Sequence, residues 1–482
     1  VHSKLEVLSR DDIEALHRAT LHVLGKVGVD LLEPRAAQLL REAGAVPAPR
    51  GTCIRIPEGL VKDALVAVPK RWTWHAREPR HSLRVGEGGR TRLGPGSSCT
   101  KIFDYEQGVT RAPTVRDGDG LVRLMDALDF VDINYTPVSP SDAEGSIRYR
   151  ETATLVRDIQ NTSKVMVGPS FDGTMARDGL EVAKILAGGE EELRRRPTLA
   201  GYCDPVSPLV HDRAMTETLI EYAKLGQPVF VTCLDVAGAS SPASLAGTLV
   251  QQNAEVLSGV VIAHLVNREA PVVYGCVSGA MDMKAATTAL GGPEFGLLSA
   301  ASVQLAHSYG LPCSAGAQSD ARVPDAQAAF EKGMSLLSSV LAGADMVDLF
   351  FGSFDAYNTT CPEQVILDHE MAGYAFRYAD GLTLDPLNAA LDLLEEVGSG
   401  GSFLRHPKAL RDTMNRMREE YYFPSFVDRR AESGLSSYRS FLEHAHAEAR
   451  RIVGAHQPAP VDPGTLKEMR AALQRIRQDE TA

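Results

Sequence analysis

From residue 130 to residue 354, short β-branched or apolar runs recur along the chain: FVDINYTP (130–137), KVMVGPS (164–170), TLAGYCDP (198–205), PVFVTCLDVAG (228–238), PVVYGCVSG (271–279), LPCSAGA (311–317) and DMVDLFFGSF (345–354). Each leads into a polar or glycine-containing loop and then into a segment of helical period. The runs start roughly 30 to 43 residues apart, the length of a strand, a crossover helix and two loops, so the pattern predicts parallel βαβ units. After the sixth run, Phe330, Met334, Leu337 and Leu341 share one helix face, and Pro324 suits that helix's first turn. With RTRLGPGSSC (90–99) as an eighth strand, the units predict a closed (β/α)8 TIM-type barrel. A doubly wound open sheet is the rival, weakened because no G-x-G-x-x-G follows an early strand.

The flanks have a different texture. Residues 9–70 read as helical, with Asp11 and Asp12 near a start and an apolar pattern through Ile13, Leu16, Leu21 and Leu24. Residues 72–115 read as short β-ribbons, YEQG (105–108) turning between KIFD and VTRAP. Past residue 383 the chain turns helical again. Asp385 is placed to cap a helix opened by Pro386, and Gly398 lies just past its end. VGSGGSFLRHPKAL (397–410) breaks the pattern before further charged helical segments. Three regions follow: 1–115, helices and ribbons on the barrel; 116–382, the barrel; and 383–482, a helical extension. Such an arm packs on its own domain or on a sister subunit, which keeps a homo-oligomer open.

Composition narrows the function classes. At 482 residues with 44% hydrophobic residues, the chain can bury a large core. A formal charge of −12, with both signs interspersed, supplies no basic stripe for a phosphate backbone, so nucleic-acid binding is disfavoured. No uninterrupted run of about 18 apolar residues occurs, and the opening VHSKLEVLSRDDIEALHRA does not read as a signal peptide, so cytoplasm is expected and no membrane contact. Seven widely spaced cysteines read as reduced thiols. Cys203, Cys233, Cys276 and Cys313 each fall within a predicted strand, but none has a C-x-x-C partner and H-E-x-x-H is absent, so no metal is expected. Thiols filling a narrow barrel interior explain them more simply. His211, His307, His369 and His406 are scattered and read as satisfied or surface histidines. G-x-S-x-G and Walker motifs are absent, and GEGGR (86–90) reads as a hairpin turn.

A barrel builds its site from the carboxyl ends of its strands. That rule groups Tyr135, Tyr202, Asp204, Asp235, Ser278, Gln318, Asp320, Arg322, Phe354, Asp355, Tyr357 and Asn358. Several aromatic rings there could box a cation, each face contributing about 0.5 to 2 kcal/mol when desolvated; packing or loop capping is the plainer explanation for any one of them.

SDARVPDAQAAFEK (319–332), with GLPCSAGA (310–317), GGPEFGLLSAASVQLAH (291–307), VSPL (206–209), DMVDLFFGSFD (345–355) and FLRHPKALR (403–411), resembles the trimethylamine methyltransferase family over nearly the whole chain. The resemblance implies a TIM-type barrel that moves a methyl group from a methylated amine to Co(I) of a separate corrinoid protein. No D-x-H-x-x-G cobalamin signature occurs, so the corrinoid cofactor is expected on that partner and none bound directly. In the archaeal trimethylamine enzymes pyrrolysine precedes an Asp-Ala-Gln by two residues; carried onto DARVPDAQ, that position is Val323. The chain then resembles the branch without pyrrolysine, whose characterised members use quaternary amines such as glycine betaine. A quaternary ammonium leaves as a neutral tertiary amine, so no general acid is needed. The resemblance implies catalytic positions at Val323, Asp320 and Arg322. It suggests an aromatic wall from Tyr135, Tyr202, Tyr274, Phe354 and Tyr357, and a carboxylate-binding group from Gln318, Arg322 and His211. Two alternatives stay open: a non-catalytic quaternary-amine-binding protein, and a TIM-barrel lyase or aldolase, which needs a Schiff-base lysine or a metal at a strand end.

Overall fold

A computed structural model describes residues 5–49, 51–96, 98–384, 387–425, 427 and 440–479. Seven strands form one parallel sheet: β1 (Arg92–Pro95), β2 (Met166–Val167), β3 (Leu199–Cys203), β4 (Val229–Cys233), β5 (Val272–Cys276), β6 (Cys313–Gly316) and β7 (Met346–Phe351). Their order across the sheet is β1-β7-β6-β5-β4-β3-β2. Residues 132–134 lie between the two edges. Asp132 and Ile133 donate backbone N–H groups to Leu93 O at 2.8 and 3.1 Å, and Asn134 donates to Val165 O at 2.9 Å. Ile133 and Val165 form a parallel bridge. The sheet is therefore curled, and backbone hydrogen bonds run from its last strand through this segment to its first.

Helices alternate with the strands: α1 (Val115–Asp126), α2 (Ile147–Asn161), α3 (Gly173–Ala187), α4 (Arg213–Lys224), α5 (Leu245–Val266), α6 (Pro293–Ser308), α7 (Ala326–Ala342) and α8 (Pro362–Asp380). Their starts follow local chemistry. Thr114 and Asp117 make a reciprocal capping box at α1, and the Asp172 carboxylate accepts from Thr174 and Met175 N–H at α3. α5 is long and apolar enough to cross a membrane, but 83% of its apolar window is buried inside the fold.

At α7 the start differs from the expectation. Asp325 caps the helix through Gln327 and Ala328 N–H, leaving Pro324 just outside the first turn. Phe330 and Met334 do share a face, but it points outward, at 69% and 58% exposure. The buried face carries Lys332, Ser335, Leu336, Ser339 and Val340.

Side-chain alternation sorts the strands into two layers. Ile133, Val165, Val167, Ala200, Phe230, Val273 and Met346 form a core inside the curl, with Tyr135 and Tyr202 packed against it. A hairpin of Trp72–Trp74 and Leu83–Val85 belongs to the same core. The Trp74 ring lies tilted 5.8 Å from Phe230, and its indole N–H donates to Thr198 O, just before β3. That hairpin thus plugs the amino ends of the strands, leaving the carboxyl ends for a site. Cys203, Cys233 and Cys313 belong to the outer core between sheet and helices; Cys276 Sγ reaches Gln252 of α5 at 3.2 Å. The strand cysteines therefore do not fill the interior: they take the parity opposite to Ala200, Phe230 and Val273.

The C-terminal helices pack back on this chain. Met469 and Leu473 of Pro463–Asp479 join the outer core, and His456 bonds the buried Asp126 at 2.8 Å. Gly398 takes the left-handed conformation expected just past Leu387–Val397 (φ 71°). The proposed cap at Asp385 and Pro386 lies outside the described residues.

Candidate active site

A cavity of about 440 Å³ lies at the carboxyl ends of the strands. Tyr135 follows segment 132–134, Val167 to Phe171 end or follow β2, Tyr202 and Asp204 end or follow β3, Thr232 and Leu234 end or follow β4, and Val277 follows β5. Leu349 of β7 and Tyr357 beyond it close the far wall. The remaining side comes from α2, where Glu151, Thr154, Leu155 and Asp158 fall at helical spacings of three, one and three residues on one inward stripe.

Tyr202 is held by a buried acid. The Tyr202 and Ser314 hydroxyls each donate to Asp348, which burial raises above the usual carboxylate range. Tyr135 lies within hydrogen-bonding reach of Tyr202, whose ring stands 5.2 Å from Phe230. Burial raises all three tyrosines, so they remain neutral phenols. The buried Tyr357 hydroxyl makes no hydrogen bond among the described residues.

Tyr357 reaches the cavity by an unusual backbone. Asp355, Ala356 and Tyr357 take φ of 55°, 50° and 67° in succession, left-handed conformations that cost about 1–2 kcal/mol each for residues with a Cβ. The turn is gripped from several sides. Arg322 pairs with Asp355, Lys101 approaches the same carboxylate at 3.7 Å, and Ala356 N–H donates to Ser319 O at 2.9 Å.

Two further carboxyls face the cavity with raised pKa. Asp158 accepts from both Thr136 Oγ1 and Thr136 N–H, yet burial pushes it up to about 7. Asp204 opens to solvent through the cavity but is enclosed by its walls; that enclosure, then Asp348 and Asp212, push it up to about 7. Burial also raises Glu151. The cavity's negative charge therefore grows as pH rises through about 7, while the tyrosine faces are unchanged.

Of the residues expected at the site, Tyr135, Tyr202, Asp204 and Tyr357 line this cavity and the others do not. Tyr274 sits at the opposite strand parity from Val273, and its hydroxyl meets Gln252 and Asn253 of α5 at 3.3 Å. Phe354 is fully buried beneath the mouth. His211 lies against α5, its Nε2 2.7 Å from Ser258 Oγ, and burial lowers it to about 4. Gln318 donates to Ser353 Oγ and accepts from Ser319 N–H, beside the Tyr357 hydroxyl. Asp320 accepts the N–H groups of Leu290 and Gly291 at 3.0 and 2.8 Å, bracing the loop before α6. Val323 is 40% exposed and outside the cavity lining.

Sequence reasoning missed Glu151, Thr154, Asp158, Thr232 and Asp348. The available signal was faint: α2 carries Asp158 among the buried apolar residues Leu155, Val156 and Ile159.

A separate acid pair lies behind β4. Cys233, Asp235 and Glu255 bring one donor atom each within 4.8 Å of one another, and Asp235 Oδ2 has no hydrogen-bond partner. Gln251 donates to both acids, and Ser207 Oγ and Leu209 N–H donate to Glu255. Burial raises both carboxyls, and Glu255 adds to the rise at Asp235. Although no metal was expected, these three residues could hold one; spacing along the chain hides the trio because α5 supplies Glu255.

A curled parallel α/β sheet with a tyrosine- and acid-lined cavity at its strand ends is an architecture suited to an enzyme acting on a small molecule. The trimethylamine methyltransferase family profile matches residues 2–481. The glycine betaine methyltransferase of Desulfitobacterium hafniense is 31% identical over 473 residues, covering 98% of this chain and 97% of its own. A trimethylamine methyltransferase of Methanosarcina mazei is 33% identical over 479 residues, covering 98% and 95%. The crystal structure of Methanosarcina barkeri monomethylamine methyltransferase superposes with a TM-score of 0.50 at 12% identity, covering 99% of this chain and 88% of that one, a likeness of fold alone. The chain belongs to the trimethylamine methyltransferase family and is a methyltransferase-family enzyme.

Proposed function

We propose that this enzyme moves a methyl group from a quaternary ammonium compound to Co(I) of a separate corrinoid protein. The observation that carries the proposal is the cavity itself: three neutral tyrosines and three carboxyls around a space of about 440 Å³ suit an onium head group. The relatives named for glycine betaine and trimethylamine support amine chemistry. We read the curled sheet with segment 132–134 as a closed (β/α)8 barrel that takes its first strand from residues 92–95 and the rest from 116–382, with the remainder of 1–115 and 383–482 as its flanking regions. The cytoplasm is the compartment that suits it.

In the transfer, the C–N bond breaks with its electron pair remaining on nitrogen, so the amine leaves neutral and no proton donor is required. The partner's corrinoid supplies the nucleophilic cobalt. The chain's own residues bind the cation, hold one N-methyl in line at near-attack distance and exclude water. Carboxyls that touched the nitrogen too closely would stabilise the ground state and slow transfer; hydrogen bonding of Asp158 to Thr136 and of Asp348 to Tyr202 tempers that effect. Exposed Phe171 and Leu234 at the rim suit an apolar partner surface. Val323, at the position matching pyrrolysine, is inert, as a substrate that already carries its charge allows. No lysine lines the cavity among the described residues, which disfavours Schiff-base aldolase chemistry.

Mixed with a reconstituted Co(I) corrinoid protein, the enzyme is expected to produce the methyl-Co(III) absorption spectrum with a quaternary ammonium donor. Donor binding with no spectral change across a panel of corrinoid partners would point instead to a non-catalytic binding protein.

A further inference from the structure

The cavity has carboxyls but no cation to receive a substrate's own carboxylate. Glu151, Asp158 and Asp204 face it, and no arginine, lysine or histidine is among its described lining residues. The side chains expected to bind a betaine carboxylate are engaged elsewhere. Arg322 pairs with Asp355 and is 76% exposed, His211 is buried against Ser258, and Gln318 spends its amide on Ser353 and Ser319. Arg150 and Arg157 of α2 act on Glu151 but are not among the described lining residues. Arg157 is held by Asp119 at 3.6 Å and Thr154 at 2.7 Å.

We infer that this site selects an ammonium cation bearing no carboxylate, such as tetramethylammonium or choline, over glycine betaine and other zwitterions. The inference rests on the quaternary ammonium reading above. Choline and glycine betaine share a trimethylammonium head and differ in a hydroxymethyl against a carboxylate. A hydroxyl finds partners in Thr232 and in Thr154, whose Oγ1 accepts from Arg157 and keeps its own O–H to donate. Above about pH 7, where Asp158 and Asp204 ionise, a carboxylate meets like charge. Two like charges about 6 Å apart at an effective dielectric near 20 repel strongly enough to weaken binding by roughly 100-fold. The desolvation cost of a carboxylate without a donor acts in the same direction.

Calorimetric titration of the full chain with tetramethylammonium, choline, glycine betaine and carnitine separates the outcomes. Tetramethylammonium or choline is expected to bind at least about 30-fold more tightly than either zwitterion. Asp204→Asn, at a carboxyl open to solvent through the cavity, is expected to narrow the choline-to-betaine ratio by about tenfold. Glycine betaine binding as tightly as choline, or a ratio that Asp204→Asn leaves unchanged, overturns the inference while leaving quaternary-amine methyl transfer standing. Failure of every onium compound to bind overturns both.

Discussion

Lys332→Ala is expected to lower the free energy of unfolding by about 3–5 kcal/mol, read as a shift in the denaturant midpoint at unchanged slope. Lys332 and Asp368 are both fully buried and stand 2.7 Å apart. The ammonium also donates to Phe350 O and Ser353 O at 2.7 Å each, and it lies 4.6 Å from the Phe350 ring centre. Asp368 in turn accepts from Gly352 N–H and Gln364 Nε2. Removing the lysine strands a buried carboxylate and two carbonyls, which is why the loss exceeds that of a surface ion pair. Protonation can neutralise the stranded acid, so the deficit is expected to shrink in acid. Lys332→Ala combined with Asp368→Asn is expected to recover part of it, giving a double-mutant coupling of at least about 1 kcal/mol. Additive losses would contradict the pairing. Because this cluster anchors β7 and the turn that presents Tyr357, the single variant is also expected to lose methyl transfer before it unfolds.

Tyr202→Leu is expected to cut kcat/KM for methyl transfer by about 100-fold or more, whereas Tyr202→Phe stays within about tenfold of the unaltered enzyme. The ring forms part of the cavity wall against Phe230, and the hydroxyl ties that wall to Asp348 and through it to Ser314. Leucine removes the cation-facing surface and the tether together; phenylalanine removes only the tether. Equal losses in the two variants would mean that the hydroxyl, not the ring, does the work, and would count against cation recognition by aromatic faces.

The alternation of apolar runs and helical segments made the strands and their crossovers legible, because parallel strands covered on both faces read as continuous apolar stretches. The same continuity conceals parity. Tyr202 and Tyr274 sit in equivalent-looking runs, yet Tyr202 faces the interior with Ala200 while Tyr274 faces α5, as the cysteines do. The polar loop at 318–323 was legible as a constellation, and its residues are indeed engaged, but as braces: Asp320 on the loop at 290–291, Arg322 on Asp355. Asp158 and Glu151 were not legible. An acid on the inward stripe of a helix looks like any other charged residue until the fold shows that α2 overhangs the mouth. Phe330 and Met334 show the converse: an apolar helix stripe that faces solvent while Lys332 fills the buried side.

The central claim is that an onium head group occupies the cavity among Tyr135, Tyr202 and Tyr357. Anomalous diffraction from crystals soaked with tetramethylarsonium tests it directly, since arsenic marks the position of the nitrogen it replaces. The expected result is one arsenic peak inside the cavity, within cation–π distance, about 6 Å, of at least two of the three rings. An empty cavity at saturating ligand, or an arsenic peak confined to another surface of the molecule, would contradict it.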